Sequence, residues 1–348
     1  MANAAPMAGT IDLIERVGAE SPLADAFARP IDYLRISVTD RCNLRCTYCM
    51  PESGLPWIPN ADTLTFEEIE RVVRAAASVG VRSIRITGGE PLVRRELPRL
   101  VARVAAIEGI DDIALSTNGI LLAQQAAALA ASGLRRINVS LDTLRAERFE
   151  RIARRPGLER VLAGIDAALA AGLGPVKINC VVMRGQNDDE LEAFAELASE
   201  RGLYVRFIEM MPVVENASLQ RDAYVSSQEL LARLNRSGRL VPVAGPGGNG
   251  PARYFAVPGE RGAVGVISPL SHDYCATCNR VRLTADGRLR LCLFGDYEID
   301  MRGPLREGAS QTDLAALFRG GMLIKPERHH LQLGEAGSRM RAFSEIGG

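Results

Sequence analysis

The chain has 348 residues, 47% of them apolar and 24% charged, with 42 basic residues balanced by 42 acidic ones. That balance argues against a protein built to grip a nucleic-acid backbone, which needs a basic excess, and no apolar run reaches the roughly 18 residues that would cross a bilayer. Seven cysteines, an odd number in a chain without a recognisable export signal, predict reduced thiols in the cytoplasm rather than a disulfide framework.

The opening MANAAPMAGTIDLIERVG lacks both a basic segment and a continuous apolar stretch, and residues 1–28 read as a loosely attached extension. From there β-branched runs alternate with helical patterns. Strands are predicted at 32–39, 81–87, 112–117, 135–141, 176–183 and 204–209. TFEEIERVVRAAASVG sets Thr65 and Glu68 at capping-box spacing and stops at Gly80, and the helical stretches 158–172 and 187–202 also end at glycines. Strand–helix units in series predict a parallel sheet with right-handed crossovers. Six such units, fewer than the eight of a full barrel, point to an α/β fold: a partial (β/α)6 TIM-like barrel over 29–244. A Rossmann sheet is disfavoured, because no G-x-G-x-x-G follows the first strand. The alternation stops after about 212. A Gly/Pro-rich stretch, 245–265, then opens a smaller C-terminal region, 245–348, expected to close the barrel, with a hairpin over 281–293 turning at Asp286–Gly287.

The first strand leads into DRCNLRCTYCMP, where Cys42, Cys46 and Cys49 stand in C-x3-C-x2-C spacing. One helical face would also give that spacing, but Pro51, Gly54 and Pro56 follow closely. Structural zinc wants a fourth ligand, and no histidine lies near. A third reading is a four-iron four-sulfur cluster held by three thiolates, its last iron open to a small chelating molecule. After the second strand comes ITGGEP, where Gly88 and Gly89 let backbone amides and carbonyls approach such a ligand. Cys275, Cys278 and Cys292 repeat the three-thiol count in C-x2-C-x13-C, and a zinc ribbon short of one cysteine is the alternative there. Cys180, alone in a strand, reads as a core thiol.

CNLRCTYC after one strand and GGEP after the next resemble the radical S-adenosylmethionine superfamily. ARPIDYLRISVTDRCNLRCTYCMP, IRITGGEPLVRR, STNG, INVSLD, VKIN, RFIEMM, CATCNRVRLTADGRLRLCLF and the terminal GG, in that order, narrow the resemblance to the GTP 3′,8-cyclase family. The resemblance implies two four-iron four-sulfur clusters, S-adenosylmethionine as cofactor and GTP as substrate. A 5′-deoxyadenosyl radical would take the 3′ hydrogen of GTP, and C3′ would then bond to C8, the first step towards the molybdenum cofactor. A homodimer, an external low-potential electron donor and delivery of the product to cyclic pyranopterin monophosphate synthase are further implications. So are the sites: Cys42, Cys46 and Cys49 for the cluster that binds S-adenosylmethionine, and Cys275, Cys278 and Cys292 for the second. Tyr48, Gly89, Ser140 and Met211 align with S-adenosylmethionine contacts. Arg35, Arg85, Ser116, Lys177, Arg280, Val281 and Arg282 align with GTP contacts, with Ser116 standing where the family often has Thr. Arg35, Arg280, Arg282 and the tail glycines Gly347 and Gly348 are the expected catalytic group.

The residues themselves bear on this. The chain has no G-x-x-x-x-G-K-[ST] loop, so side chains must neutralise a triphosphate, and guanidinium forks suit phosphate oxygens. A solvated surface is the ordinary fate of any single Arg. Lys177, one of only two lysines and set in the apolar strand PVKINCVVM, is expected to point into the barrel mouth towards an anion. Glu90 is a candidate partner for the S-adenosylmethionine amino group or a structural group in its loop, and His329–His330 read as exposed. Competing readings are a peptide-modifying radical enzyme with an auxiliary cluster and a zinc-binding interaction module.

Overall fold

Period-two alternation in the six predicted strands sends one set of side chains outward and the other inward. The computed structural model describes residues 22–211, 221–248, 250–331 and 341–347. It forms β1 (Tyr33–Ser37), β2 (Ser83–Thr87), β3 (Asp112–Thr117), β4 (Arg136–Ser140), β5 (Val176–Val182) and β6 (Tyr204–Glu209) as consecutive parallel neighbours. Between them run α1 (Phe66–Ser78), α2 (Leu97–Ala105), α3 (Leu122–Ala131), α4 (Ala146–Ala153), α5 (Leu158–Ala170) and α6 (Leu191–Arg201). The capping box that starts α1 is formed: Glu68 N donates to Thr65 Oγ1 at 3.1 Å and Thr65 N to Glu68 Oε2 at 2.7 Å.

Leu34, Ile36, Ile84, Ile86, Leu115, Ile137, Val139, Ile178, Val205 and Phe207 join the main hydrophobic core, each contributing about 1.5–3 kcal/mol of burial. The alternate positions are Arg35, Arg85, Ser116, Asn138, Lys177, Asn179 and Arg206. Parallel sheets usually carry apolar residues on both faces. Here one face is polar and basic, so the space it lines is suited to a polar ligand.

The C-terminal region adds β7 (Val241–Val243), β8 (Arg253–Ala256), β9 (Ala263–Ile267), β10 (Arg280–Leu283), β11 (Arg288–Arg290) and β12 (Glu298–Asp300). The sheet order is β12-β11-β10-β1-β2-β3-β4-β5-β6-β9-β8-β7. β9 pairs parallel with β6 and β10 parallel with β1, so the parallel series resumes beyond residue 212, where the sequence pattern had broken. The C-terminal strands extend both edges of the barrel sheet, and no described pairing joins β12 to β7. The hairpin turning at Asp286–Gly287 is present as β10–β11. Residues 1–21 lie outside the described residues. Residues 22–28 are docked rather than loose: Leu23 is buried, donates its N–H to Val79 O at 2.8 Å and accepts from Ile31 N at 2.8 Å.

Candidate functional site

The loop after β1 carries Cys42, Cys46 and Cys49 on non-helical backbone, Cys49 within a turn, which removes the helical-stripe reading. Its shape is fixed from outside: Arg45 N donates to Ala153 O and Thr47 N to Ile152 O, each at 3.0 Å. The three thiols line a cavity of about 190 Å³ with Tyr48, Gly88, Gly89, Ser116, Ser140, Asp142, Asn179 and Met211. The loop following β2 packs directly beneath. Gly89 N donates to Thr39 O at 2.7 Å and Glu90 N to Arg41 O at 2.8 Å. A Cβ on Gly89 would stand 2.4 Å from Arg41 O. Glycine is required there for contact with the cysteine loop, and of the Gly88 and Gly89 backbone expected to meet a ligand, the Gly89 amide is already engaged.

Glu90 is fully buried and accepts from Thr117 Oγ1 and Asn118 N at 2.7 Å and from Leu92 N at 3.0 Å. Burial raises its carboxyl to about 7 against these hydrogen bonds. It ties the end of β3 to the loop after β2. Asn118, held by that carboxylate, reaches Cys42 Sγ at 3.9 Å and Asn43 Oδ1 at 2.7 Å. Tyr48 donates to Asp142 Oδ2 at 2.8 Å, and Asp142 Oδ1 accepts from Val181 N at 2.8 Å. Burial pushes Asp142 up to about 6.

The second set, Cys275, Cys278 and Cys292, lines a smaller cavity of about 40 Å³ with Tyr274, Arg280, Arg282, Phe294 and His329. His329 is half-buried, its ring 5.2 Å from Phe294, which corrects the expectation that both histidines face solvent. Among the described residues no three His, Cys, Asp or Glu side chains converge on a single-ion site. Ligands of one zinc must converge within about 2.3 Å of it, whereas a cubane takes each thiolate at a different iron. The three thiols in each lining match the donor count of a cubane that leaves one iron open.

Residues 343–346 lie between the two sets. Phe343 and Ile346 of the short helix α10 (Phe343–Ile346) pack with Phe294 against Cys49, Met211 and Cys292. (Helices α7, Ser227–Leu234, α8, Arg302–Arg306, and α9, Gln311–Leu323, precede it.) Gly347 has φ +68°, its carbonyl accepts from Arg282 Nη1 at 2.6 Å, and a Cβ there would meet Thr87 Cγ2 at 2.5 Å. Gly348 lies outside the described residues.

Inside the barrel stand Arg85, Lys177, Arg206, Arg280 and Arg282, and among the described residues none forms an ion pair with a carboxylate. Their partners are neutral: Arg85 bonds Tyr33 and Ser116, Arg206 reaches Asn138 Oδ1 at 2.6 Å, Lys177 reaches Gly247 O at 2.8 Å, and Arg280 lies over the Tyr274 ring. Among the described residues the buried Nε atoms of Arg206, Arg280 and Arg282 have no hydrogen-bond partner. Burial and mutual repulsion push Lys177 down to about 7, with Arg206, Arg136 and Arg85 the repelling charges. Arg206 and Arg282 fall to about 10, mainly by burial. Arg35, level with Arg85 and Arg282 in the sheet, is lowered by burial and then by Arg282. Like charges crowded in a buried space cost energy unless an anion joins them.

One placement differs from expectation. Lys177 is the second residue of β5, below the Asn179 and Val181 that line the cavity, so it sits at the deep end of the barrel, not its mouth. Val281 packs in the hydrophobic core and, as expected of its segment, lines the second cavity beside Arg280 and Arg282. Arg206, Asn138, Asn118, Asp142 and Lys325 were not named as site residues from the sequence, although Asn118 stands in STNG, Asn138 and Asp142 in INVSLD and Arg206 in RFIEMM, and Lys325 is the second lysine.

Two family models match the chain: the Radical SAM superfamily over residues 36–198 and Molybdenum Cofactor Synthesis C over 203–331. A GTP 3′,8-cyclase of Heliobacterium modesticaldum is 52% identical, covering 94% of this chain and 100% of the relative. One of Geobacter sulfurreducens is 46% identical over 94% of this chain and 99% of the relative. Among solved structures, Streptococcus suis SuiB bound to S-adenosylmethionine matches with a TM-score of 0.58 at 15% identity, over 84% of this chain and 67% of that one; this likeness concerns the fold.

Proposed function

The chain belongs to the GTP 3′,8-cyclase family of the radical S-adenosylmethionine superfamily, and from that membership we propose which of its residues carry the reaction. The activity is conversion of GTP towards the molybdenum cofactor. In our reading Cys42, Cys46 and Cys49 hold the cluster that binds S-adenosylmethionine, with Tyr48, Gly89, Ser140 and Met211 around the ligand, and Cys275, Cys278 and Cys292 hold the second. When bound, these groups supply the one-electron chemistry through which C3′ and C8 of GTP are joined. The barrel over 29–244 then provides the first cluster and most of the substrate bed, and 245–348 the second cluster and the tail.

The protein's own part is placement. The observation that carries the reading is the set of buried cations without carboxylate partners. The triphosphate lies among Arg85, Lys177, Arg206, Arg280 and Arg282, with Arg35 beside them, and Ser116 offers a hydroxyl above. A charge-assisted hydrogen bond of this kind is worth about 1.5–3 kcal/mol. The guanine points to the second cysteine set and the ribose to the first. Gly347 occupies the gap between the sets and directs the Arg282 fork, and the apolar Phe343 and Ile346 beside it exclude water. We further propose that the enzyme works as a homodimer, draws electrons from an external low-potential donor and hands its product to cyclic pyranopterin monophosphate synthase.

The test is anaerobic: reduced, iron-loaded protein is incubated with S-adenosylmethionine, with and without GTP. Release of 5′-deoxyadenosine should depend on GTP and be accompanied by a cyclised guanine nucleotide. GTP-independent release at an equal rate would contradict the substrate assignment.

A further inference from the structure

Lys325 lies just past α9, is 3% exposed, and is one of two lysines in the chain. An ammonium has three N–H donors, and each finds a partner at the second cysteine set. These are the Cys278 sulfur at 3.9 Å, the Arg280 carbonyl at 3.1 Å and the Leu291 carbonyl. One side chain thus ties Cys278 to the start of β10 and to the residue between β11 and Cys292.

Its charge differs from that of its neighbours. Arg29 also reaches this set, donating to Cys275 O at 2.8 Å and to Pro326 O at 2.7 Å, but its charge is answered by Asp25 at 2.6 Å. Arg280 faces the space assigned to the triphosphate, so a bound substrate answers it. No carboxylate pairs with Lys325 among the described residues. The positive charge it brings is directed at sulfur.

We propose that Lys325 is a positioning residue of the second cysteine set: it holds the Cys278 thiolate and the ends of β10 and β11 in register, and its charge draws the cluster held there towards the reduced state. An electron entering a cluster adds one negative charge, and a nearby buried ammonium stabilises that form, raising the potential. The inference rests on the reading that these three cysteines hold a four-iron cluster.

The experiment uses the full chain with Cys42, Cys46 and Cys49 changed to Ala, so that the second set is the remaining cluster site. Iron is counted, and the reduced cluster is followed by electron paramagnetic resonance during a redox titration. K325M should lower the reduced-to-oxidised ratio at a given poise at least tenfold, a negative shift of about 59 mV or more for a one-electron couple. K325R should stay within threefold. Should K325M lose its iron while K325R keeps it, the holding role is supported, and K325Q, neutral but able to hydrogen-bond, then reports the potential. Wild-type iron and wild-type potential in both K325M and K325Q would overturn the proposal. If the parent triple variant binds no iron at all, the second-cluster reading fails first and takes this inference with it.

Discussion

Arg206 stands in the segment RFIEMM without having been read as a ligand, and it is buried at 5% exposure with Asn138 as a polar neighbour and no carboxylate counter-ion among the described residues. Removing it should relieve repulsion in the empty protein and weaken the bound triphosphate. R206A is therefore expected to raise the KM for GTP about ten- to hundredfold, matching 1.5–3 kcal/mol, with iron content unchanged and thermal stability equal or higher. A steady-state assay beside an iron count checks this. A wild-type KM would remove Arg206 from the triphosphate bed. Lys177 gives the pH behaviour. Held near 7 by burial and by Arg206, Arg136 and Arg85, it is below its unfolded value of about 10.4. The unfolded chain thus binds the extra proton between those values, so this group's cost to stability is full below about 7 and fades as pH rises. A bound polyanion pulls the other way and favours the charged form. Affinity for GTP should then fall as pH rises above about 7 in the wild type, and K177R, whose charge does not titrate there, should flatten that slope. The Arg and Lys types were legible from sequence as phosphate ligands. Which of the 40 or so arginines turn inward was not, because that depends on strand register, set by pairings across the whole sheet.

At the scale of elements, two loops and a tail make the site. The cysteine spacing and the two glycines after β2 were readable in the chain, but their relation was not. Gly89 matters because the two loops touch through backbone, with Arg41 O and Asp40 O at 2.4 and 2.5 Å from where a Cβ would be. G89A must move one loop off the other, and overpacking of this kind costs about 1–3 kcal/mol. The expected outcome is loss of iron from the first cysteine set with the second retained, read as a halved iron count. Full iron loading in G89A would show that the loops can separate without harm. Gly347 has a local reason too: a left-handed φ of +68° and Thr87 against its α-carbon. G347A is expected to cut kcat more than tenfold while iron content and melting temperature hold, since α10 and the Arg341 pairs with Asp286 and Glu298 still anchor the tail. Glycines at a terminus look like fraying until the cavity around them is known, which is why their packing could not be read from composition.

At the scale of the whole molecule, twelve strands among the described residues form one sheet whose centre is a parallel series and whose edges come from the C-terminal third. Sequence alternation made the six βα units visible. It did not reveal that β9 and β10 join β6 and β1, because they lie beyond a Gly/Pro-rich break and pair with strands distant in sequence. The β1–β10 pairing brings Arg280 and Arg282 level with Tyr33 and Arg35. The result is a basic, carboxylate-poor interior between two sulfur sites. The central claim, that this interior exists to hold a triphosphate, is most directly tested by comparing the affinities of anaerobic, iron-loaded protein for GTP and for guanosine by isothermal titration. The account predicts that GTP binds at least about a thousandfold more tightly, some 4 kcal/mol, with the difference reduced in R206A. Equal affinities for the two would contradict it.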